Sequence, residues 1–218
     1  MKKLVIFGNS VFAEVALYYF EKFSQYEVCY FASENKYIKT KKILNHTIIS
    51  LEELLKLNKK EYYVFIAVGY SKMNTVRQKF YNFFKKKKFK FASFIHPNSF
   101  VYSSKIGEHN FIMENVNLNP YSEIGDNNII WSSSILGHHS KLGSNNFLSG
   151  NSTISGKCIV KDNCFFGVNS SVKDSINIKN SCFIDANEYV NKNLDKYIYF
   201  NSKINPRNIL KTNKIFNV

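Results

Sequence analysis

The chain is short of the residues that staple, kink or loosen small folds. Its 218 residues include four cysteines, three prolines, nine glycines and one tryptophan. The cysteines, Cys29, Cys158, Cys164 and Cys182, form no CxxC pair, which argues against a zinc site. No run approaches 18 consecutive apolar residues, so no membrane span is expected. The opening stretch "MKKLVIFGNS" lacks the long apolar core and small-residue cleavage site of a signal peptide. Its apolar run stops at Gly8, Asn9 and Ser10, and reads as a buried strand entering a turn. A cytoplasmic location is therefore expected, where reducing conditions argue against disulfides. With 44% hydrophobic and 16% aromatic residues, the composition is that of a folded globular protein.

Acidic residues are also scarce: 16 stand against 30 Lys+Arg, a net charge of +14. The excess is uneven, with +11 over residues 1–93 and +3 over residues 94–218. The densest cluster, "FFKKKKFKF" (83–91), reads as a solvated helix end followed by a strand. Nucleic acid is not an expected partner, whereas attraction for anionic, phosphorylated ligands is compatible with the charge.

The first part, residues 1–93, alternates strand and helix patterns. "KLVIF" (3–7) and "YYVFIAVG" (62–69) are apolar runs typical of strands covered on both faces, and "EVCYF" (27–31) reads as a third strand. "VFAEVALYYFEKF" (11–23) has apolar residues at helical spacing, and a helix is expected over 71–87. Ser50 with Glu53 forms a capping box for a short helix over 51–57. The order predicts a small α/β domain with a parallel sheet.

From residue 94 the period changes. Every sixth residue from Phe94 to Val190, seventeen positions in all, is aliphatic or Phe. The residue two places earlier is mostly small: Ser104, Asn110, Ser122, Asn128, Ser134, Ser140, Asn146, Ser152, Cys158, Cys164, Ser170 and Cys182. A six-residue repeat predicts a parallel β-helix, three hexads to a coil of about 18 residues, aliphatic residues inside and small ones at the corners. Cys164 and Cys182 should stack on one corner.

Hexads such as "KIGEHN", "EIGDNN", "KLGSNN" and "FFGVNS" resemble those of the hexapeptide-repeat acyltransferases, whose fold is a left-handed β-helix. The order of a small α/β domain, "FIHPNS" (94–99) and then a β-helix resembles the bacterial sugar acyltransferases. That subfamily includes nucleotide-sugar N-acetyltransferases and sialic acid O-acetyltransferases. The resemblance implies an α/β nucleotide-sugar-binding domain over 1–93 and a β-helix acyltransferase domain with a C-terminal tail over 94–218. It also implies a homotrimer with acetyl-CoA lying along the β-helix between subunits.

The same resemblance assigns site residues. In "SILGHHSKLG" (134–143), His138 matches the family's general base. Leu136 points inward, so His138 should face outward, and an imidazole suits proton transfer at neutral pH. The family usually has a carboxylate next; here it is His139, which carries no negative charge, so that either a neutral hydrogen bond from His139 or another carboxylate orients His138. A metal is not expected, because a third ligand is missing: His109 does not stack with the pair. Gly156 and Gly167 match glycines along the thioester and pantetheine path, and the Gly156 N–H is a candidate oxyanion donor. Phe147 stands where the family has a second, CoA-contacting histidine. The stretches "FIDANE" (183–188) and "NSKINPRN" (201–208) replace the family's closing glycine-rich and Gly-x-Pro-Ala-Lys patterns. In the first domain, Gly8, Asn9 and Ser10 stand in the glycine-rich turn that favours a phosphate at a helix N-terminus. Gly69 and Tyr70, in "AVGYSKMN" (67–74), are candidates for contacting the nucleotide.

The expected activity is acetyl transfer from acetyl-CoA to an amino group of a nucleotide-linked sugar, by direct attack with His138 as base. The alternatives are O-acetylation of a sugar hydroxyl and a catalytically eroded β-helix binding protein.

Overall fold

Leu4, Val5, Ile6 and Phe7 are all buried, as a strand covered on both faces requires. They form most of β1 (Lys2–Phe7) in a computed structural model that describes residues 1–203. α1 (Val11–Phe23) follows and buries Ala13, Ala16, Leu17 and Phe20. Next come β2 (Tyr26–Ser33), β3 (Lys42–Ile43), β4 (His46–Ser50), α2 (Leu51–Lys56), β5 (Tyr62–Ile66), α3 (Thr75–Lys86) and β6 (Lys90–Phe91). The sheet order is β3-β4-β2-β1-β5-β6. Its pairings are parallel except for the β3–β4 hairpin. The capping box forms as expected: the Glu53 N–H donates to Ser50 Oγ at 3.1 Å, and the Ser50 N–H donates to Glu53 Oε2 at 2.7 Å.

Two local features depart from the sequence reading. The β3–β4 hairpin turns at Leu44 and Asn45, with φ of 44° and 69°. A two-residue turn of this hand usually carries glycine, and "LN" does not announce it. α3 begins at Thr75 rather than 71 because Lys72, Met73 and Asn74 are left-handed, with φ of 48°, 53° and 64°. Such a conformation costs roughly 1–2 kcal/mol per residue.

By contact, the chain divides into Met1–Gly69 with Arg77–Phe94, and Tyr70–Val76 with the residues from Ile95 onward. The left-handed turn thus belongs with the second unit. There the Tyr70 ring packs on Phe147 and Phe165, with centroids 5.1 and 4.9 Å apart, and Asn74 Nδ2 donates to the Cys164 carbonyl at 3.1 Å. These contacts offset the backbone cost.

In the second unit, two-residue strands recur every six residues from Lys105–Ile106 to Tyr189–Val190. Strands one coil apart pair in parallel register, as Ile135↔Thr153 and Phe147↔Phe165 do, which builds the three faces of the left-handed parallel β-helix. The inward series from Ile112 to Val190 is at most 2% exposed. Its first two expected members behave differently. Phe94 packs its ring on Tyr19 and Phe20 in the first unit. Phe100 is 55% exposed, because Val101, not Phe100, pairs with Leu118. A one-residue slip in register reverses which side chain points inside.

Each corner carries one left-handed residue, every sixth position from His109 to Asn187, with φ between 57° and 63°. Asparagine tolerates this conformation best among non-glycine residues, and it fills half of these fourteen positions. The small buried residues stack as ladders: the N–H groups of Asn128, Asn146 and Cys164 donate to the side-chain oxygens of Asn110, Asn128 and Asn146. Cys164 and Cys182 follow each other one coil apart, their thiols donating to the Lys179 and Asp195 carbonyls at 3.3 and 3.0 Å, and burial pushes the Cys164 thiol up. Among the described residues, no group of three or more His, Cys, Asp or Glu is placed to hold a metal, and no helix is long and apolar enough to cross a membrane.

Candidate active site

The two adjacent histidines occupy one corner of the β-helix, between the strands Ile135–Leu136 and Lys141–Leu142. Gly137 precedes them, and a Cβ there would lie 2.4 Å from the Ser155 carbonyl carbon of the next coil. Leu136 is buried, and both His138 and His139 are exposed. His139 takes the left-handed corner position, with φ of 59°. This turn brings His138 Nδ1 to 3.1 Å from His139 Nδ1, with the rings near perpendicular. An Nδ1···Nδ1 hydrogen bond needs one proton. With that proton on His138, its Nε2 keeps a free lone pair, and His139 carries its own proton on Nε2. With the proton on His139 the roles reverse, so the contact is compatible with the tautomer a general base needs. His139 is steadied by the Tyr121 ring, 4.7 Å away between centroids, and by its N–H bond to the Pro120 carbonyl at 3.2 Å.

Gly156 lies one coil beyond His138. A Cβ on Gly156 would stand 2.7 Å from His138 Nε2 and 2.8 Å from Cε1, so a side chain there would displace the imidazole from this position. The Gly156 N–H, expected as an oxyanion donor, already donates to Asp174 Oδ1 at 2.7 Å. The next residue closes the corner, with the Lys157 N–H donating to the His138 carbonyl at 2.9 Å.

The other acetyl-CoA candidates sit elsewhere on the β-helix. A Cβ on Gly167 would fall 2.4 Å from the Ala186 N of the next coil, so close backbone approach accounts for that glycine. Phe147 belongs to a different face. Its ring is buried in an aromatic column with Phe165, Phe183 and Tyr199, at centroid spacings of 5.4, 4.5 and 5.4 Å down the column. The structure thus gathers His138, His139 and Gly156 and leaves Gly167 and Phe147 apart. The closing pattern "NSKINPRN" extends past residue 203, so residues 204–208 lie outside the described residues.

In the first unit, β1 has β2 on one side and β5 on the other. Successive crossovers leave β1 in opposite directions, and such a reversal opens a crevice at the carboxyl ends of the strands. Gly8 sits there, with φ of 140°, and a Cβ on it would lie 2.6 Å from the Ala67 carbonyl oxygen. Asn9 Nδ2 donates to the Tyr37 carbonyl at 2.7 Å. Ser10 is the N-cap of α1, yet its hydroxyl makes no capping bond and is exposed. Gly69 faces open space at the end of the β5 loop. Gly8, Asn9, Ser10 and Gly69 share this end of the sheet, whereas Tyr70 belongs to the aromatic column described above.

Sequence reasoning missed Arg77. Its guanidinium is fully buried and donates to the Gly69 carbonyl at 2.6 Å. Burial pushes its pKa down to about 9, so the side chain is still charged at neutral pH. A signal was available: Arg77 is one of two arginines in a chain with 28 lysines. A planar fork of donors suits buried carbonyls better than an ammonium does.

Fold and corner together define the class: a left-handed β-helix of hexapeptide repeats following a small α/β domain. Family comparison gives the same two parts. Residues 3–84 match the PglD N-terminal domain, and residues 103–138 match the bacterial transferase hexapeptide with its six repeats. The chain therefore carries a PglD-type N-terminal domain and hexapeptide repeats, as the resemblance implied. No curated protein matches it in sequence. Among solved structures, the acetyltransferase domain of PglB from Neisseria gonorrhoeae is 16% identical with a TM-score of 0.79, covering 91% of this chain and 95% of that one. PerB from Caulobacter crescentus, in complex with CoA and GDP-perosamine, is 22% identical with a TM-score of 0.78, covering 90% and 92%. WeeI from Acinetobacter baumannii is 16% identical with a TM-score of 0.76, covering 88% and 92%. At these identities the likeness shows the fold.

Proposed function

We propose that this protein transfers an acetyl group from acetyl-CoA to the amino group of a nucleotide-linked amino sugar. The observation that carries this reading is the exposed His138–His139 pair on a hexapeptide-repeat β-helix, in which His138 Nε2 serves as the base when His138 holds the shared Nδ1 proton. The acceptor amine attacks the thioester carbonyl. His138 Nε2 takes the proton the nitrogen sheds and passes it to the departing sulfur, so the C–S bond breaks and CoA leaves as the thiol. No covalent enzyme intermediate is needed. The open end of the α/β sheet, with the free α1 N-terminus at Ser10 and the charged Arg77 below Gly69, suits a nucleotide's phosphates. PerB, a structural neighbour, was solved with CoA and GDP-perosamine, a ligand pair of the kind proposed here. A homotrimer, with acetyl-CoA between subunits, is part of this reading.

The test is thiol release from acetyl-CoA with a panel of nucleotide amino sugars and matched hydroxyl acceptors. Release with an amino acceptor supports the proposal. Release only with hydroxyl acceptors would turn it to O-acetylation, and no release together with no CoA binding by calorimetry would reject it.

The role of His139 has its own test. His139→Leu removes the acceptor for His138 Nδ1 and is expected to lower kcat about tenfold, with KM for acetyl-CoA unchanged. His139→Asp supplies a charged acceptor at the same position and should restore the rate to wild type or above. Equal rates for the two variants would show that His139 does not orient the base.

A further inference from the structure

The corner raises a question of charge. When His138 accepts a proton it becomes an imidazolium, and His139 offers it only a neutral lone pair. The missing carboxylate has a counterpart, and it is remote in sequence. Asp174 sits two coils beyond His138, with Gly156 in the coil between. The point where a Gly156 Cβ would lie is 2.7 Å from His138 Nε2 and 3.1 Å from Asp174 Oδ1. The two groups therefore face each other across a notch that exists only because residue 156 has no side chain. We propose that Asp174 is the positioning carboxylate of this site, acting through His138 by compensating the charge its imidazolium carries. This rests on the acetyl-transfer reading above.

A purely structural role for Asp174 is the competing explanation, and the chain contains its own controls. Asp126 Oδ1 accepts from the Glu108 N–H at 2.9 Å, and Asp162 Oδ1 accepts from the Ser144 N–H at 2.7 Å. Both repeat the bond that Asp174 makes to the Gly156 N–H at 2.7 Å. Neither has a histidine above it. Serine also fills this role, since Ser144 Oγ accepts from the Asp126 N–H at 3.0 Å. Asp174→Ser therefore keeps the coil-to-coil hydrogen bond and removes only the charge.

The other titratable groups at the corner are His139 on Nδ1 of His138, Tyr121 against His139, Lys157 after Gly156, Lys173 before Asp174, and Cys158, whose buried thiol donates to the Lys173 carbonyl and is pushed up by burial first and by the Asp174 charge among lesser causes. All are untouched in the comparison. A carboxylate near an imidazole favours the charged form, so its removal acts where the imidazolium forms. Asp174→Ser is expected to lower kcat about tenfold with KM for acetyl-CoA unchanged. Acetyl-CoA binding by calorimetry should stay at the wild-type value, so that the loss falls on the chemical step alone. Asp162→Ser should leave all three readings at wild-type values, and Asp174→Glu should recover part of the rate. If Asp174→Ser and Asp162→Ser behave alike in an active enzyme, the Asp174 proposal fails and acetyl transfer stands. A wild-type protein without acetyl transfer to any acceptor overturns both.

Discussion

Replacing His138 with alanine is expected to reduce acetyl transfer by about 10²–10⁴-fold, the usual contribution of a positioned general base. The loss should fall on kcat, with CoA binding by calorimetry unchanged. His138 is exposed, its ring supports no core, and its backbone carbonyl keeps its bond from Lys157 in any variant. Thermal unfolding should accordingly match wild type, which separates lost chemistry from lost structure. His138→Asn is the more exacting variant, because it keeps a polar group of similar reach without a base. A substantial recovery of rate at high pH is expected for both variants if the base matters only for removing a proton, since hydroxide and a neutral amine then share the task. Wild-type turnover in His138→Ala would remove the assigned base and, with it, the reason to regard this corner as the reaction centre.

The legibility of the protein follows from how its contacts are spaced. The β-helix could be read because one side chain in six must enter the prism, coil after coil, and aliphatic residues at those positions make the period audible above composition. The same reading fails at Phe100, where an apolar residue at the right count faces outward, because the partner register shifts by one there. It also misses the left-handed turn at Lys72–Asn74, which no glycine marks and which long-range contacts of Tyr70 and Asn74 hold in place. At the candidate corner, His138 and His139 are neighbours in sequence and could be found directly. Gly156 required a family pattern. Asp174 appears only when the 18-residue coil is folded up and columns, rather than stretches, are compared. Arg77 was hidden for a different reason: a helix pattern rich in cations reads as solvated, and burial of one of them is a tertiary fact.

Phe166→Ala is expected to produce the largest loss of stability, about 3–5 kcal/mol, a range typical of removing a buried Phe. Phe166 is fully buried in the β-helix core, in register with Leu148 one coil before it and Ile184 one coil after. The coils are clamped by backbone bonds between them, such as Gly167 N–H to the Ile184 carbonyl at 2.8 Å. They cannot close over the space a phenyl ring leaves, so the cavity persists. Chemical denaturation should show a lower midpoint with little change in slope. Phe165 provides the contrast. It is the adjacent residue but points out of the prism, stacked between Phe147 and Phe183. Leucine keeps much of the volume that alanine removes, and Phe165→Leu is expected to cost well under half as much. In a stack of repeats each coil stabilises its neighbours, so the Phe166 cavity should also weaken the coils that carry Gly156 and Asp174. Hydrogen exchange at the Gly156 and Lys157 amides should then accelerate in Phe166→Ala and not in Phe165→Leu. Equal protection in the two variants would mean that the Gly156 corner is stable independently of the core beside it.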